Sequence, residues 1–125
     1  MKTVTAAIIY RGGKVLLARR ASGEKQAGYW EFPGGKLEPG ETLAACLCRE
    51  IAEELNVEIS VGAILATSDH RYEHGAIHLV AMKAAIVSGR LCPTVHDQLC
   101  WVPVEELLQY RLSPADIPIA RALKQ

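Results

Sequence analysis

Glu50, Glu53 and Glu54 place three carboxylates on one face of a short helix, in the run Arg49-Glu50-Ile51-Ala52-Glu53-Glu54. They fall near the helix C-terminus, where the macrodipole is already negative and cations are favoured. Like charges three and four residues apart also repel, by about 0.2–0.5 kcal/mol per exposed pair. A helix shaped only by stability would not carry them there, and local preferences broken in this way tend to mark functional sites. A divalent cation with oxygen ligands is the simplest relief for three converging carboxylates. Metal binding is therefore the first chemistry the chain suggests.

The surrounding residues explain how those carboxylates would be presented. Phe32-Pro33-Gly34-Gly35-Lys36-Leu37-Glu38-Pro39-Gly40-Glu41 reads as a loop by its Pro and Gly content, and glycine lets a backbone approach a ligand closely. Thr42 is a suitable N-cap. Leu43, Leu47, Ile51 and Leu55, with Ala44 and Cys48 beside them, fill one arc of the helical wheel, while Arg49 and the three glutamates fill the opposite arc. Asn56 is the expected stop, as the usual second choice after glycine for the left-handed position past a helix.

Taken together, these positions resemble a known family pattern. Gly35, five residues, Glu41, seven residues, then Arg49-Glu50-Ile51-x-Glu53-Glu54-x-Asn56-Val57 resembles the Nudix box of nucleoside diphosphate-X hydrolases. Asn56 stands where the family has glycine, a departure its capping ability accommodates. Trp30-Glu31-Phe32-Pro33-Gly34-Gly35-Lys36 is similar to the segment leading into the box in MutT-type members, and Ser113-Pro114-Ala115-Asp116-Ile117-Pro118 to the C-terminal segment of the bacterial CTP pyrophosphohydrolase branch.

The resemblance implies an α/β fold, an α/β/α sandwich with a mixed β-sheet, formed as one domain over residues 1–125. It implies a metal-dependent pyrophosphohydrolase that turns a nucleoside triphosphate into the monophosphate and pyrophosphate. Arg49, Glu50, Glu53 and Glu54 are then the catalytic group. Gly35, through its carbonyl, joins Glu50, Glu53 and Glu54 in holding Mg²⁺, with Mn²⁺ able to substitute. Arg20 matches a substrate-contacting arginine of MutT-like enzymes, and Lys36, Phe32 and Asp116 complete the expected substrate contacts. MutT-type members often carry a distal Glu that binds metal or acts as base. Spacing back from Trp101 puts Val95 there, with His96 and Asp97 the nearest substitutes. The general base is thus open between Glu53, Glu54 and Asp97, with Glu53 preferred on helix geometry.

Each of these residues has a plainer reading. A glutamate cluster is commonly a solvated acidic face, Arg49 can pair with Glu53 at i,i+4, and Glu41 can serve the helix dipole alone. Asp116 can cap a helix. As a ligand it is the sharpest substrate clue, because an ionised carboxylate only accepts hydrogen bonds. That suits the cytosine amino group, and also the guanine edge that offers N–H donors. MutT has Asn at this place, so Asp116 points towards pyrimidines (CTP, dCTP, 5-methyl-dCTP) rather than 8-oxo-dGTP. A Nudix domain that binds nucleotide as a sensor without chemistry is the alternative of another class.

Composition narrows the partners. The formal net charge is zero, which argues against long nucleic acid and anionic membrane as ligands. No apolar run is long enough to span a bilayer and no signal-peptide pattern is present, so a cytoplasmic protein, monomer or homodimer, is expected. Cys46, Cys48, Cys92 and Cys100 form no C-x-x-C pair and read as free thiols. His70, His74 and His78 recur every fourth residue, but Gly75 interrupts any helix, so that spacing does not gather them for zinc.

For the remaining elements, residues 4–9 and 15–18 read as paired strands around Arg11-Gly12-Gly13, and 57–67, 76–87 and 99–104 as further strands. A short helix is expected over 104–110. A last helix must start at Asp116 or later, because an earlier start buries Pro118 in its interior.

Overall fold

Alternation along the first strand decides which face of the sheet meets which helix. The computed structural model describes residues 1–125. Strand β1 (Lys2–Arg11) sends Ala6 and Ile8 into one apolar cluster and Ala7 and Ile9 into the other, as a period of two requires. β1 and β2 (Lys14–Arg20) are buried on both faces, which is why each reads as a nearly continuous apolar run. Gly12 and Gly13, both at positive φ, make the turn between them.

The other strands are β3 (Trp30–Glu31), β4 (Gly34–Lys36), β5 (Val57–Tyr72), β6 (Gly75–Gly89) and β7 (His96–Pro103). The sheet runs β3-β2-β1-β6-β5, with β4 joined to β1 and β7 to β2. β1 and β6 are parallel and the other pairs antiparallel, so the sheet is mixed. Helix α1 (Leu43–Leu55) lays Leu47, Ile51 and Leu55 on Ala7, Ile9, Leu16 and Val80. Helix α2 (Asp116–Leu123) and a 3₁₀ helix over Val104–Gln109 cover the opposite face with Ile119, Ala120 and Leu107. Helices on both faces of a mixed sheet give the α/β sandwich expected.

The caps follow the sequence. The Thr42 hydroxyl accepts the Ala45 N–H at 3.1 Å, and Asn56 sits at φ 60, ψ 31 as the left-handed stop. Helix α2 starts at Asp116, leaving Pro118 in the first turn, where no intrahelical N–H is needed.

Three segments differ from expectation. Gly34–Lys36, expected as loop, is a strand whose Thr5↔Gly35 and Ala6↔Gly34 pairs bind it to β1. A Cβ on Gly34 would overlap the Thr5 carbonyl, so this glycine serves close strand approach rather than a turn. β5 continues past residue 67 to Tyr72, because its polar end still pairs with β6 through to Tyr72↔Gly75. β7 begins at His96 instead of 99, with a register shift opposite Arg19 and Arg20. No helix is long and apolar enough to cross a membrane.

Candidate active site

A cavity of about 610 Å³ opens between the C-terminal half of α1, β4, the start of β1, the β5–β6 hairpin and the start of α2. It brings together Arg20, Phe32, Gly35, Lys36, Glu50, Glu54 and Asp116, all expected site residues. Glu53 is not among the lining residues. Its side chain is 60% exposed and pairs with Arg49 at 3.5 Å, whereas those of Glu50 and Glu54 are 16% and 14% exposed. A helical turn points three carboxylates to one side, but only two of them lie beneath β4.

Gly35 makes room for that arrangement. A Cβ there would overlap the Glu50 carboxylate. The Gly35 carbonyl, expected as a metal ligand, accepts the Thr5 hydroxyl at 3.1 Å. That bond uses one of the oxygen's two lone pairs.

Arg49 does more than its i,i+4 partner requires. Nε and Nη2 grip the Glu41 carboxylate at 2.7 and 2.9 Å, Nη1 reaches Glu50 at 3.0 Å, and Nη2 donates to the Lys36 carbonyl at 3.2 Å. One guanidinium thus ties α1 to the segment before it and to β4, a geometry its planar fork suits. The hydrogen bonds from Arg49 hold the Glu41 carboxyl down at about 2. Glu41 accordingly serves Arg49, and also accepts the Glu38 N–H at 3.0 Å.

Deeper in the cavity the charge balance reverses. Burial, then Glu31 and Glu50, push the Glu54 carboxyl up to about 8, and burial raises Glu50 as well. Arg20 faces Glu31 at 3.4 Å, Glu24 at 3.5 Å and Glu54 at 4.0 Å, and donates from Nε to the Lys25 carbonyl at 3.1 Å. One cation thus stands among more carboxylates than it can neutralise, and Glu54 Oε1 is buried with no partner. This surplus of oxygen donors fits a divalent cation, and Glu31, Glu54 and His96 offer ligand atoms within 4.8 Å of one another.

At the other end, Asp116 is 6% exposed and does not cap α2. Its Oδ1 accepts the Phe32 N–H at 3.3 Å, which gives buried Phe32 a positioning part through its backbone. Burial first, and Glu31 second, raise the Asp116 carboxyl well above its usual range. Tyr72 braces this end, with its hydroxyl 2.9 Å from Ser113 Oγ and accepting the Ala115 N–H at 3.1 Å.

Around Val95 the two nearest substitutes turn opposite ways. The Val95 carbonyl accepts the Ala21 N–H, and Asp97 points outward to Arg19 at 2.7 Å, which lowers its carboxyl and takes it away from the cavity. The His96 side chain is wholly buried, with Nε2 2.8 Å from Glu31 Oε2. Its Nδ1 is buried without a partner. The tautomer with hydrogen on Nε2 leaves only a lone pair unmatched, so His96 donates to Glu31. A register shift re-aims side chains in this way.

Sequence reasoning did not single out Glu31 or Tyr72 for the site. The only signal for Glu31 was a carboxylate beside the apolar Trp30 and Phe32. For Tyr72 it was an aromatic residue next to a glycine turn.

Residues 1–123 match the NUDIX domain family. The chain is 46% identical over 122 residues to the CTP pyrophosphohydrolase of Escherichia coli, covering 98% of this chain and 90% of that one. It is 40% identical over 117 residues to a protein named putative 8-oxo-dGTP diphosphatase 2 of Mycobacterium tuberculosis, covering 90% and 81%. Among solved structures it is similar to the solution structure of the E. coli ORF135 protein, with a TM-score of 0.86, 44% identity, and coverage of 99% and 89%.

Proposed function

The chain belongs to the Nudix family of hydrolases, and on that premise we propose that it hydrolyses nucleoside triphosphates to the monophosphate and pyrophosphate, with cytosine nucleotides preferred. The observation that carries this reading is the half-buried pair Glu50 and Glu54 in the same cavity as buried Asp116. Phosphate chemistry is thereby assigned to one end and base recognition to the other. The relatives named for CTP and for 8-oxo-dGTP both support a small nucleotide as substrate.

Glu50 and Glu54, with Glu53 at the rim, would hold Mg²⁺, or Mn²⁺ in its place. When bound, such ions neutralise phosphate oxygens and lower the pKa of water. Arg49 holds Glu50 and β4 in register through Glu41 and Lys36. Arg20 and Lys36 stand where they can meet the triphosphate, whose charge competes with Glu31 and Glu54 for the guanidinium.

Glu54 is the better candidate than Glu53 for taking the proton from water, since it is desolvated within the cavity while Glu53 is exposed. Asp97, held outward by Arg19, is out of reach. His96 keeps Glu31 turned towards Arg20. At the far end, Asp116 keeps Oδ2 for the base. An amino donor from cytosine favours the ionised carboxylate, against the burial that raises it. We also read residues 1–125 as one domain acting on a small soluble nucleotide.

The test is a panel of canonical and modified nucleoside triphosphates scored by pyrophosphate release. Isotope-labelled water should end in pyrophosphate, as attack at the β-phosphorus requires. Label found in the monophosphate rejects that regiochemistry. Tight nucleotide binding without turnover in Mg²⁺ or Mn²⁺ would instead make the protein a sensor.

A further inference from the structure

Thr5 breaks the pattern of its own strand. Ala7 and Ile9 share its face of β1 and are packed with Leu47 and Ile51 of α1. Thr5 lies in the same layer, 1% exposed, where valine has the same shape and no polar atom to desolvate. Burying a hydroxyl is unfavourable unless it is hydrogen-bonded. Here it is: Oγ1 donates to the Gly35 carbonyl at 3.1 Å and lies 3.5 Å from the Cys46 thiol. The thiol in turn donates to the Lys36 carbonyl at 3.3 Å. A small polar pair under β4 therefore holds two consecutive carbonyls of the strand that roofs the acidic site.

We infer that Thr5 is a positioning residue for the metal-binding carboxylates, acting through Gly35. Gly35 is where the Glu50 carboxylate rests, with no room even for a Cβ. Any shift of the strand there moves the surface against which Glu50 is set. Hydrogen bonds one layer behind the ligands commonly tune metal affinity by about ten- to a hundredfold. This inference rests on the metal reading proposed above, and extends it to a residue of the neighbouring strand, paired with Gly35.

The experiment compares the full-length protein with Thr5→Val, Thr5→Ser and Glu50→Gln, titrated with Mn²⁺ alone by calorimetry and by the free-ion paramagnetic resonance signal. A thermal melt of each metal-free protein runs alongside. Valine keeps the shape and loses the hydroxyl, while serine keeps the hydroxyl and loses a buried methyl. Thr5→Val should therefore bind Mn²⁺ about tenfold more weakly while melting near the wild-type temperature. Thr5→Ser should melt lower yet keep wild-type affinity within about twofold. A purely structural role would make affinity follow stability, in the reverse order.

Mn²⁺ binding by wild type that Glu50→Gln abolishes, with Thr5→Val unchanged, overturns the Thr5 inference and leaves the metal reading standing. Wild type that binds no Mn²⁺ overturns both.

Discussion

Glu54 and Asp116 are the same kind of group, lining the same cavity and raised by the same two leading causes, burial and the Glu31 charge. Their surroundings separate them. Glu54 shares its space with Glu50, Glu31 and a distant Arg20, and one oxygen has no partner. Asp116 has a single backbone N–H from Phe32, with Ser113 and Ala115 lining the cavity beside it. Surplus negative charge at one end calls for a cation. A buried acceptor with one backbone donor calls for a further hydrogen-bond donor on a neutral ring. On the proposed reading, neighbours alone turn one carboxyl type to reaction at one end and to recognition at the other.

Substitutions at the two ends should separate rate from choice. Glu54→Gln is expected to lower kcat by about two to four orders of magnitude for every nucleotide, without changing their ranking. Steady-state assays across the panel check this, and a changed ranking would dissolve the division between the ends. Asp116→Asn should do the converse, reducing the preference for cytosine by about ten- to a hundredfold in relative kcat/KM with a smaller loss in kcat. Equal losses on all bases would return Asp116 to a structural role.

Arg49→Lys keeps the charge but not the fork that holds Glu41 and the Lys36 carbonyl, so a loss of about tenfold in turnover is expected. Glu53→Gln, at the exposed rim, should cost less than Glu54→Gln. The reverse order would restore Glu53 as the base favoured by helix geometry.

The pH dependence of the metal-free protein gives a smaller and independent contrast. Glu54 rises from an ordinary 4.5 to about 8 on folding. The folded state therefore holds the proton more tightly, and this contribution is full below about 4.5 and lost as pH climbs to 8. Melting temperature should fall over that interval, and Mg²⁺ should reverse the fall. A melting temperature that is flat over the interval would contradict the desolvation of Glu54. Asn56→Gly should be nearly silent, within about 1 kcal/mol, because glycine gains ease in the left-handed cap while the Asn56 bond to the Cys92 carbonyl is lost.

What could be read in the chain beforehand was local. The α1 wheel, the Thr42 and Asn56 caps, and the start of α2 set by Pro118 follow from residues within a turn or two of each other. The acid face and the place of Asp116 followed likewise. Contacts between distant strands could not be read this way. Gly34 and Gly35 looked like a loop because nothing in the segment reveals that β1 fills the place of a Cβ on Gly34 and the Glu50 side chain that of one on Gly35. His96 turns inward, and Asp97 outward, because the pairing of β7 with β2 slips at Arg19 and Arg20. Spacing along the chain carries no trace of that slip. Which of Glu53 and Glu54 faces the cavity was hidden for the same reason, since burial is set by what lies over the helix.

The central claim is that the acidic end cleaves a triphosphate whose base is chosen by Asp116. Initial rates of pyrophosphate release with Mg²⁺ on CTP, dCTP, 5-methyl-dCTP and 8-oxo-dGTP, for wild type beside Asp116→Asn, test it most directly. The expected result is higher kcat/KM on the cytosine nucleotides, with the gap narrowed in the variant. A wild type that favours 8-oxo-dGTP, or a gap untouched by the substitution, would contradict it.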